Sequence, residues 1–378
     1  MKKLLLWLIV MLVGISMVAT FSLAGCKTTT AETTVAETTV AETTVAATTV
    51  AETTAAKEVV IGQIDAEDLT LGFNFVDLET EFWVAGYNAI TETLRDQDVT
   101  VIEYNASEDP IKQMQMCKDA LAEGIDGMII IPQDGDVAVA IARDYNDAGV
   151  PLGVFNRPPS DENTKALVAV ADNEAISQAA MEYMAEEARK VFEETGEKVI
   201  PLCMVGDLGD PNAIFRKKGF DNVYEANSDI FEEVIYVNTN WDAKVALDNL
   251  TAAISANPDV GLIFCGSDFM YPQIQQVLEA NNKWHKVGEP GHVILGAVDG
   301  DSTAGRLMDE GYVDATAVQD LYYEVELILN AMIEAINAGE TSPMKWMDDP
   351  GFALTQANMA ERRMDMWGNK LRAARGEI

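Results

Sequence analysis

Short apolar segments alternate along the chain with longer segments in which apolar residues recur every three or four positions. The first kind is typical of buried β-strands and the second of amphipathic helices. Helices are predicted after most of the strands, the last two at 320–338 and 356–375. The strand-like segments, preceded by a shorter one at 59–64, fall at 69–75, 99–104, 127–132, 150–155, 166–170, 199–205, 233–237, 260–265, 293–298 and 313–317.

Strands that are apolar throughout and alternate with helices predict parallel sheets that are covered on both faces. Ten such strands are too many for one open sheet in a chain of this length, and the alternation pauses at 156–164. The pattern therefore predicts an α/β protein with two doubly wound, Rossmann-like lobes and a cleft between the carboxyl ends of their strands. Pro201 lies inside a predicted central strand, and its missing N–H predicts a local irregularity there.

The first 26 residues have the features of an export signal. Two lysines and an apolar run at 4–13 precede the tetrad Leu-Ala-Gly-Cys, which ends at Cys26. This tetrad resembles the bacterial lipobox, which implies that residues 1–25 are removed and that the Cys26 thiol is lipidated; an ordinary signal peptide is the alternative. Residues 26–56 repeat Ala-Glu-Thr-Thr-Val without aromatic residues, so we predict a disordered tether between the membrane and the folded body.

The 378-residue chain carries a net charge of −36. This acidic excess argues against nucleic acid or an anionic lipid surface as a binding partner and favours a self-repelling monomer outside the cell. No CxxC motif or Cys/His cluster occurs, so we predict neither a metal site nor a cofactor. If the strands that hold Cys203 and Cys265 are neighbours, these residues could form a disulfide, but buried free thiols fit their apolar context better.

Planar polar or aromatic side chains follow most of the predicted strands. Because ligands of parallel α/β sheets bind outside the carboxyl ends of the strands, these side chains are candidates for a binding site. The stretch 199–220 is the strongest case, since an apolar strand, a loop with Gly206 and a helix that carries Arg216 follow one another. The candidates are Phe82, Trp83, Asn156, Arg157, Asp210, Asn212, Arg216, Trp241, Ser267, Asp299 and Gln319.

A purely structural explanation exists for each candidate taken alone. Phe82 and Trp83 could be core residues, Asn156 and Arg157 could form a turn, and Arg216 could pair with a surface acid. Taken together, these explanations would have to account for polar groups at six strand ends. Amides, carboxylates and guanidinium groups bind sugar hydroxyls in pairs, while aromatic rings cover the apolar face of a pyranose, so the combination favours a sugar.

The order and spacing of these segments over 69–354 resemble the type 1 periplasmic sugar-binding proteins, the ribose-binding and galactose/glucose-binding family of ABC transporters. The run VFNRPPS at 154–160 resembles the Phe-Asn-Lys-Glu-Pro-Ser run of the galactose/glucose binders. The run DPNAIFR at 210–216 resembles their His-Pro-Asp motif with Arg four residues after the Asp, and Trp241-Asp242 resembles their Trp-Asp pair.

The resemblance implies the periplasmic-binding-protein-like I fold with a three-segment hinge near Ala171, Gln319 and Pro350. One lobe would then comprise 57–171 plus 320–351, and the other 172–319 plus 352–378. The resemblance further implies that Phe82 and Trp241 sandwich the sugar ring. It assigns hydrogen bonds with the sugar hydroxyls to Asn156, Asp210, Asn212, Arg216, Ser267, Asp299 and Gln319.

Three positions depart from the galactose/glucose pattern. Thr80 stands where that group has an acid, Asn212 where it has an aspartate, and Ser267 where it has an amide. These changes leave pentoses, deoxysugars, polyols and inositols open as ligands. The calcium loop of that group has no counterpart at 193–197, so we predict no bound calcium.

The resulting hypothesis is a lipid-anchored, extracytoplasmic protein that captures a small sugar or polyol and delivers it to an ABC transporter permease. A sensor that presents its sugar to a receptor kinase or chemoreceptor is an alternative. A secreted sugar-modifying enzyme is disfavoured, because the chain has no Gly-x-Ser-x-Gly elbow, no P-loop and no histidine at a strand end.

Overall fold

The computed structural model describes residues 59–66 and 68–378. The predicted signal peptide, tether and lipidation site at Cys26 lie outside the described residues. Two six-stranded sheets, each with helices on both faces, form two lobes, which confirms the predicted fold class. None of the helices in this part of the chain is long and apolar enough to cross a membrane.

The first lobe contains an entirely parallel sheet with the strand order β11-β5-β4-β3-β1-β2. Capping residues fix the ends of its helices. For example, Asp109 caps the start of α2, which has Pro110 in its first turn, and Gly124, with a φ of 82°, ends it. The elements of this lobe are β1 (Thr70–Phe75), α1 (Glu81–Arg95), β2 (Thr100–Asn105), α2 (Pro110–Glu123), β3 (Gly127–Ile130), α3 (Gly135–Ala148), β4 (Leu152–Phe155), β5 (Leu167–Ala171), α9 (Leu321–Asn337) and β11 (Lys345–Asp349).

The second lobe has the strand order β12-β10-β9-β8-β6-β7, in which only β12 runs antiparallel to its neighbour. The pairing of β6 with β8 shifts register between Ile200 and Pro201, which is the irregularity predicted for that proline. The elements are α4 (Asn173–Thr195), β6 (Ile200–Val205), α5 (Pro211–Ala226), β7 (Ile235–Asn238), α6 (Ala243–Ala256), β8 (Val260–Cys265), α7 (Tyr271–Ala280), β9 (Ile294–Asp299), α8 (Ser302–Glu310), β10 (Ala315–Val318), β12 (Phe352–Thr355), α10 (Met359–Arg362) and α11 (Trp367–Ala374).

The chain passes between the sheets three times, after β5, after β10 and between β11 and β12. Asp349 joins all three crossings. Its backbone carbonyl accepts the N–H of Asp172 at 2.9 Å, and its carboxylate accepts those of Asp320 at 2.6 Å and Gly351 at 2.9 Å. Because three connecting segments meet at one buried residue, the lobes are held at a single hinge region.

Two sequence predictions about elements are wrong, and two strands were missed. Residues 59–64 form no strand, because the side chains of Asn330 and Asn337, not a neighbouring strand, hydrogen-bond their backbone. Strands β11 and β12 were not predicted, since β11 is polar and lies at a sheet edge. The predicted helix at 356–375 is broken at Met366, whose extended backbone turns both Met366 and Trp367 into the core. Other boundaries differ by a few residues.

The three cysteines of the described region, Cys117, Cys203 and Cys265, are buried free thiols. This agrees with the prediction that Cys203 and Cys265 are free thiols and do not form a disulfide. Burial raises the pKa of the Cys265 thiol to about 12. A thiol that stays protonated and shielded from water is unreactive, so these residues act as small apolar side chains.

Candidate ligand-binding cleft

A cleft of about 510 Å³ lies between the carboxyl ends of the strands of the two sheets. All eleven predicted site residues line it: Phe82, Trp83, Asn156 and Arg157 from the first lobe, Asp210, Asn212, Arg216, Trp241, Ser267 and Asp299 from the second, and Gln319 from the second crossing. The structure therefore brings the candidates together as one group. What each does with a ligand stays a prediction.

Most of the polar candidates stand at the start of a helix or directly after a strand. Asp210 caps α5 by accepting the N–H of Asn212 at 2.9 Å, and Asn156 follows β4 with a φ of 63°. Trp241 follows β7 with a φ of 56° and lies over Gly206, where a Cβ would come within 2.1 Å of the indole ring. Left-handed backbone is uncommon in residues other than glycine, although asparagine adopts it more often than most, and it is concentrated at functional sites.

Six residues with planar polar side chains form a closed ring at the base of the cleft, through five hydrogen bonds and the ion pair of Arg216 with Asp299. Each distance joins two side chains, except that the side-chain amide of Asn212 donates to the backbone carbonyl of Asn156. The ring runs Arg216–Asp299 (3.0 Å), Asp299–Gln319 (2.7 Å), Gln319–Asn156 (2.9 Å), Asn156–Asn212 (3.0 Å), Asn212–Asn173 (3.0 Å) and Asn173–Arg216 (2.6 Å). Such a ring fixes the orientation of each member, so that their remaining donors and acceptors are preorganised.

Asp299 is the carboxylate of this ring and also accepts a hydrogen bond from the Ser267 hydroxyl. Burial raises its pKa, while the Arg216 guanidinium and the hydrogen bonds from Ser267 and Gln319 lower it. Burial also raises the pKa of the neighbouring Asp301 to about 7, although the cap hydrogen bond from the Ala304 N–H opposes this.

A second ion pair, between Arg157 and Asp210, also lines the cleft. The Arg157 Nε lies 3.2 Å from Asp210 Oδ2, which also accepts the indole N–H of Trp241 at 3.2 Å. Both inward guanidinium groups lie over indole rings, Arg157 at 5.2 Å from the centroid of Trp83 and Arg216 at 5.7 Å from that of Trp241. The cleft thus combines planar guanidinium groups with aromatic side chains that line its wall.

Sequence reasoning missed two members of this network and several residues of the cleft wall. Asn173 begins α4 just after β5, with only Asp172 between them, so it meets the same strand-end criterion as the predicted residues. Glu324 accepts a hydrogen bond from Asn156 at 3.0 Å from inside α9, where nothing in the local sequence marks it. The other unpredicted wall residues include Asp77, Glu79, Glu108, Gln133, Asp207 and Phe269.

The rims of the two lobes are in contact on both sides of the cleft. The Gly135 N–H donates to the Gly209 carbonyl at 3.3 Å on one side, and Glu81 accepts the N–H of Ser302 at 2.8 Å on the other. The two lobes are therefore in a closed arrangement, in which residues of both would surround a molecule held in the cleft.

A family model described as a periplasmic binding protein domain matches residues 71–341, so the chain belongs to this family. It is 22% identical over 253 residues to a ribose import binding protein of Bacillus subtilis, covering 67% of this chain and 77% of that one. It is 24% identical over 276 residues to a D-allose-binding periplasmic protein of Escherichia coli, covering 71% and 84%. The predicted family is confirmed, and the chain is a ligand-binding protein, not an enzyme.

A solved structure with the same fold is an ABC transporter solute binding protein from Bacillus halodurans with bound myo-inositol. The TM-score is 0.67 at 23% sequence identity, and the alignment covers 79% of this chain and 99% of that one. The two-lobed architecture is therefore shared over the whole length of that protein.

Proposed function

We propose that this protein captures a small, uncharged sugar or polyol in the interlobe cleft and delivers it to an ABC transporter permease. Residues 1–25 would direct export, the Cys26 thiol would carry a lipid, and residues 26–56 would tether the binding body to the outer face of the cell membrane. The body would work there as a monomer.

The observation that carries this proposal is the ring of six planar polar side chains at the base of the cleft, flanked by aromatic residues. Amide, carboxylate and guanidinium groups held in fixed planes suit the paired hydroxyls of a sugar. The cleft volume of about 510 Å³ lies within the range of small-molecule sites, roughly 300–1,000 Å³. The relatives named above bind ribose and D-allose, and the structural neighbour holds myo-inositol.

The charge of the cleft narrows the ligand class. Nine carboxylates and three basic side chains line it, and both arginines are already paired with aspartates. An anionic ligand such as a sugar phosphate or sugar acid would enter against this negative excess. The cleft therefore suits an uncharged polyol better than a sugar phosphate of similar size.

Capture would depend on closure of the lobes. Candidate contacts come from both lobes, so a ligand would touch all of them only when the rims meet. A ligand shifts a conformational equilibrium only through contacts that are better in the favoured state, and this arrangement supplies them.

A thermal-shift panel on residues 57–378 tests the proposal. We expect at least one of myo-inositol, D-ribose and D-allose to raise the melting midpoint, because a ligand at 100 times its Kd stabilises the folded state by about 2.7 kcal/mol. Glucose 6-phosphate and ribose 5-phosphate serve as anionic controls and should give no shift. A flat response to uncharged sugars and polyols, or a response only to the phosphates, would contradict the proposal.

A further inference from the structure

Asp299 occupies a strained position at the end of β9. Its φ is 121°, in a region that residues other than glycine seldom adopt, and the following Gly300 has a φ of 83°. A side chain in such a conformation persists only when its surroundings hold it there. In this conformation the Asp299 carboxylate meets Arg216, Ser267 and Gln319.

The C-terminal helix α11 holds this strained turn from behind. The indole Nε1–H of Trp367 donates to the Asp299 carbonyl at 2.8 Å, and the Gly368 N–H donates to the Gly300 carbonyl at 3.1 Å. Trp367 is 1% exposed, and a Cβ on Gly368 would lie 2.2 Å from the carbonyl carbon of Asp301. The helix is therefore in close contact with the backbone that aims the Asp299 side chain.

The same indole ring reaches the other lobe. Trp367 packs edge-on against Phe82, with 5.7 Å between the ring centroids, and Phe82 lines the cleft. Trp367 itself does not appear among the residues lining the cleft. One buried side chain thus contacts cleft residues of both lobes from outside the cleft.

We propose that Trp367 is a positioning residue for ligand binding, which fixes the Asp299 carboxylate by holding its backbone carbonyl. The expected effect on sugar affinity rests on the proposed function, whereas the expected effect on the Asp299 backbone does not. Trp367 lies after the residues matched by the family model, 71–341.

The test is Trp367→Phe, which keeps an aromatic ring against Phe82 and removes the N–H donor. Calorimetry with myo-inositol, D-ribose and D-allose should show a Kd about tenfold higher for whichever of them the wild-type protein binds, as expected when one buried hydrogen bond that orders the site is lost. In crystals of the variant without sugar, the Asp299 backbone should leave its positive φ and the contact of 3.0 Å with Arg216 should lengthen.

Trp346→Phe is the matched control. Its indole N–H also makes one hydrogen bond, to Asp348 at 2.9 Å, but on an exposed strand of the first lobe, so the Kd should not change. An unchanged Kd in the Trp367 variant, or crystals in which Asp299 keeps both its φ and its contact with Arg216, would overturn the inference. If the wild-type protein binds none of the three compounds, it is the proposed function that is contradicted, and the crystal structures still decide the role of Trp367.

Discussion

At Arg216, three acceptors from different parts of the chain fix the plane of the guanidinium group. They are the Asp299 carboxylate, the Asn173 amide oxygen at 2.6 Å and the Gly266 carbonyl at 2.7 Å. Arg216 is 5% exposed, so removing it altogether would leave Asp299 buried without a counter-charge, at a cost of roughly 3–5 kcal/mol. A lysine substitution therefore separates the role of the planar guanidinium donors from the role of the positive charge, because lysine keeps only the charge.

Arg216→Lys should raise the Kd for the bound sugar roughly ten- to a hundredfold, because a lysine keeps the charge but loses the planar pair of donors. The free energy of unfolding should fall by only about 1 kcal/mol. Calorimetry measures the first quantity and urea denaturation the second. Arg189→Lys, at the exposed pair with Asp229 in the same lobe, is the control and should change neither; an equal Kd for both variants would show that Arg216 does not bind the ligand.

The candidate site could be predicted from the sequence because position in an α/β fold determines it. Asn156, Ser267 and Asp299 each come at a strand end, and the carboxyl ends of parallel strands converge. Glu324 could not be predicted in this way, since it reaches Asn156 from the first turn of α9 and not from a strand end. Nor could the bonding between site residues: the sequence shows that Asp210 and Arg157 are candidates but not that they pair with each other.

At the scale of elements, the apolar content of a strand determined whether it could be predicted from the sequence. The strands that are buried on both faces, such as β3 and β4, were predicted because they are apolar throughout. The edge strand β11 was missed because only two of its five residues are buried. Its last residue, Asp349, nevertheless ties the three crossings together, so a polar edge strand carries the hinge.

Asp349→Asn should lower the free energy of unfolding by about 1–3 kcal/mol. The amide oxygen of the asparagine can still accept one of the two backbone N–H groups, those of Asp320 and Gly351, that the carboxylate accepts. The amide NH2 group would then face the other N–H, so that a buried donor is left unsatisfied. Urea denaturation checks this. Asp348→Asn, at the exposed neighbour, is the control and should stay within about 0.5 kcal/mol of wild type. Equal stability of the two variants would contradict the hinge role of Asp349.

At the scale of the whole molecule, closure depends on a few contacts that exist only when the rims meet. Glu81 provides three of these. From the first turn of α1, its carboxylate accepts the N–H of Ser302 at 2.8 Å and the Ser302 hydroxyl at 2.9 Å, and it pairs with Arg375 at 2.8 Å. Ser302 and Arg375 both belong to the second lobe, so all three contacts are lost when the lobes separate.

Glu81→Ala should shift the sugar-free protein toward the open arrangement. The Arg375 pair is partly exposed and worth less than about 1 kcal/mol, but with the bonds to Ser302 at a helix N-terminus the total reaches about 1–2 kcal/mol, or roughly tenfold in the ratio of closed to open molecules. Small-angle X-ray scattering should show a larger radius of gyration, and the Kd for the bound sugar should rise by up to the same factor. Glu310→Ala removes a carboxylate that pairs within α8 alone, so it should leave both unchanged. Identical scattering from the two variants would mean that Glu81 does not hold the lobes together.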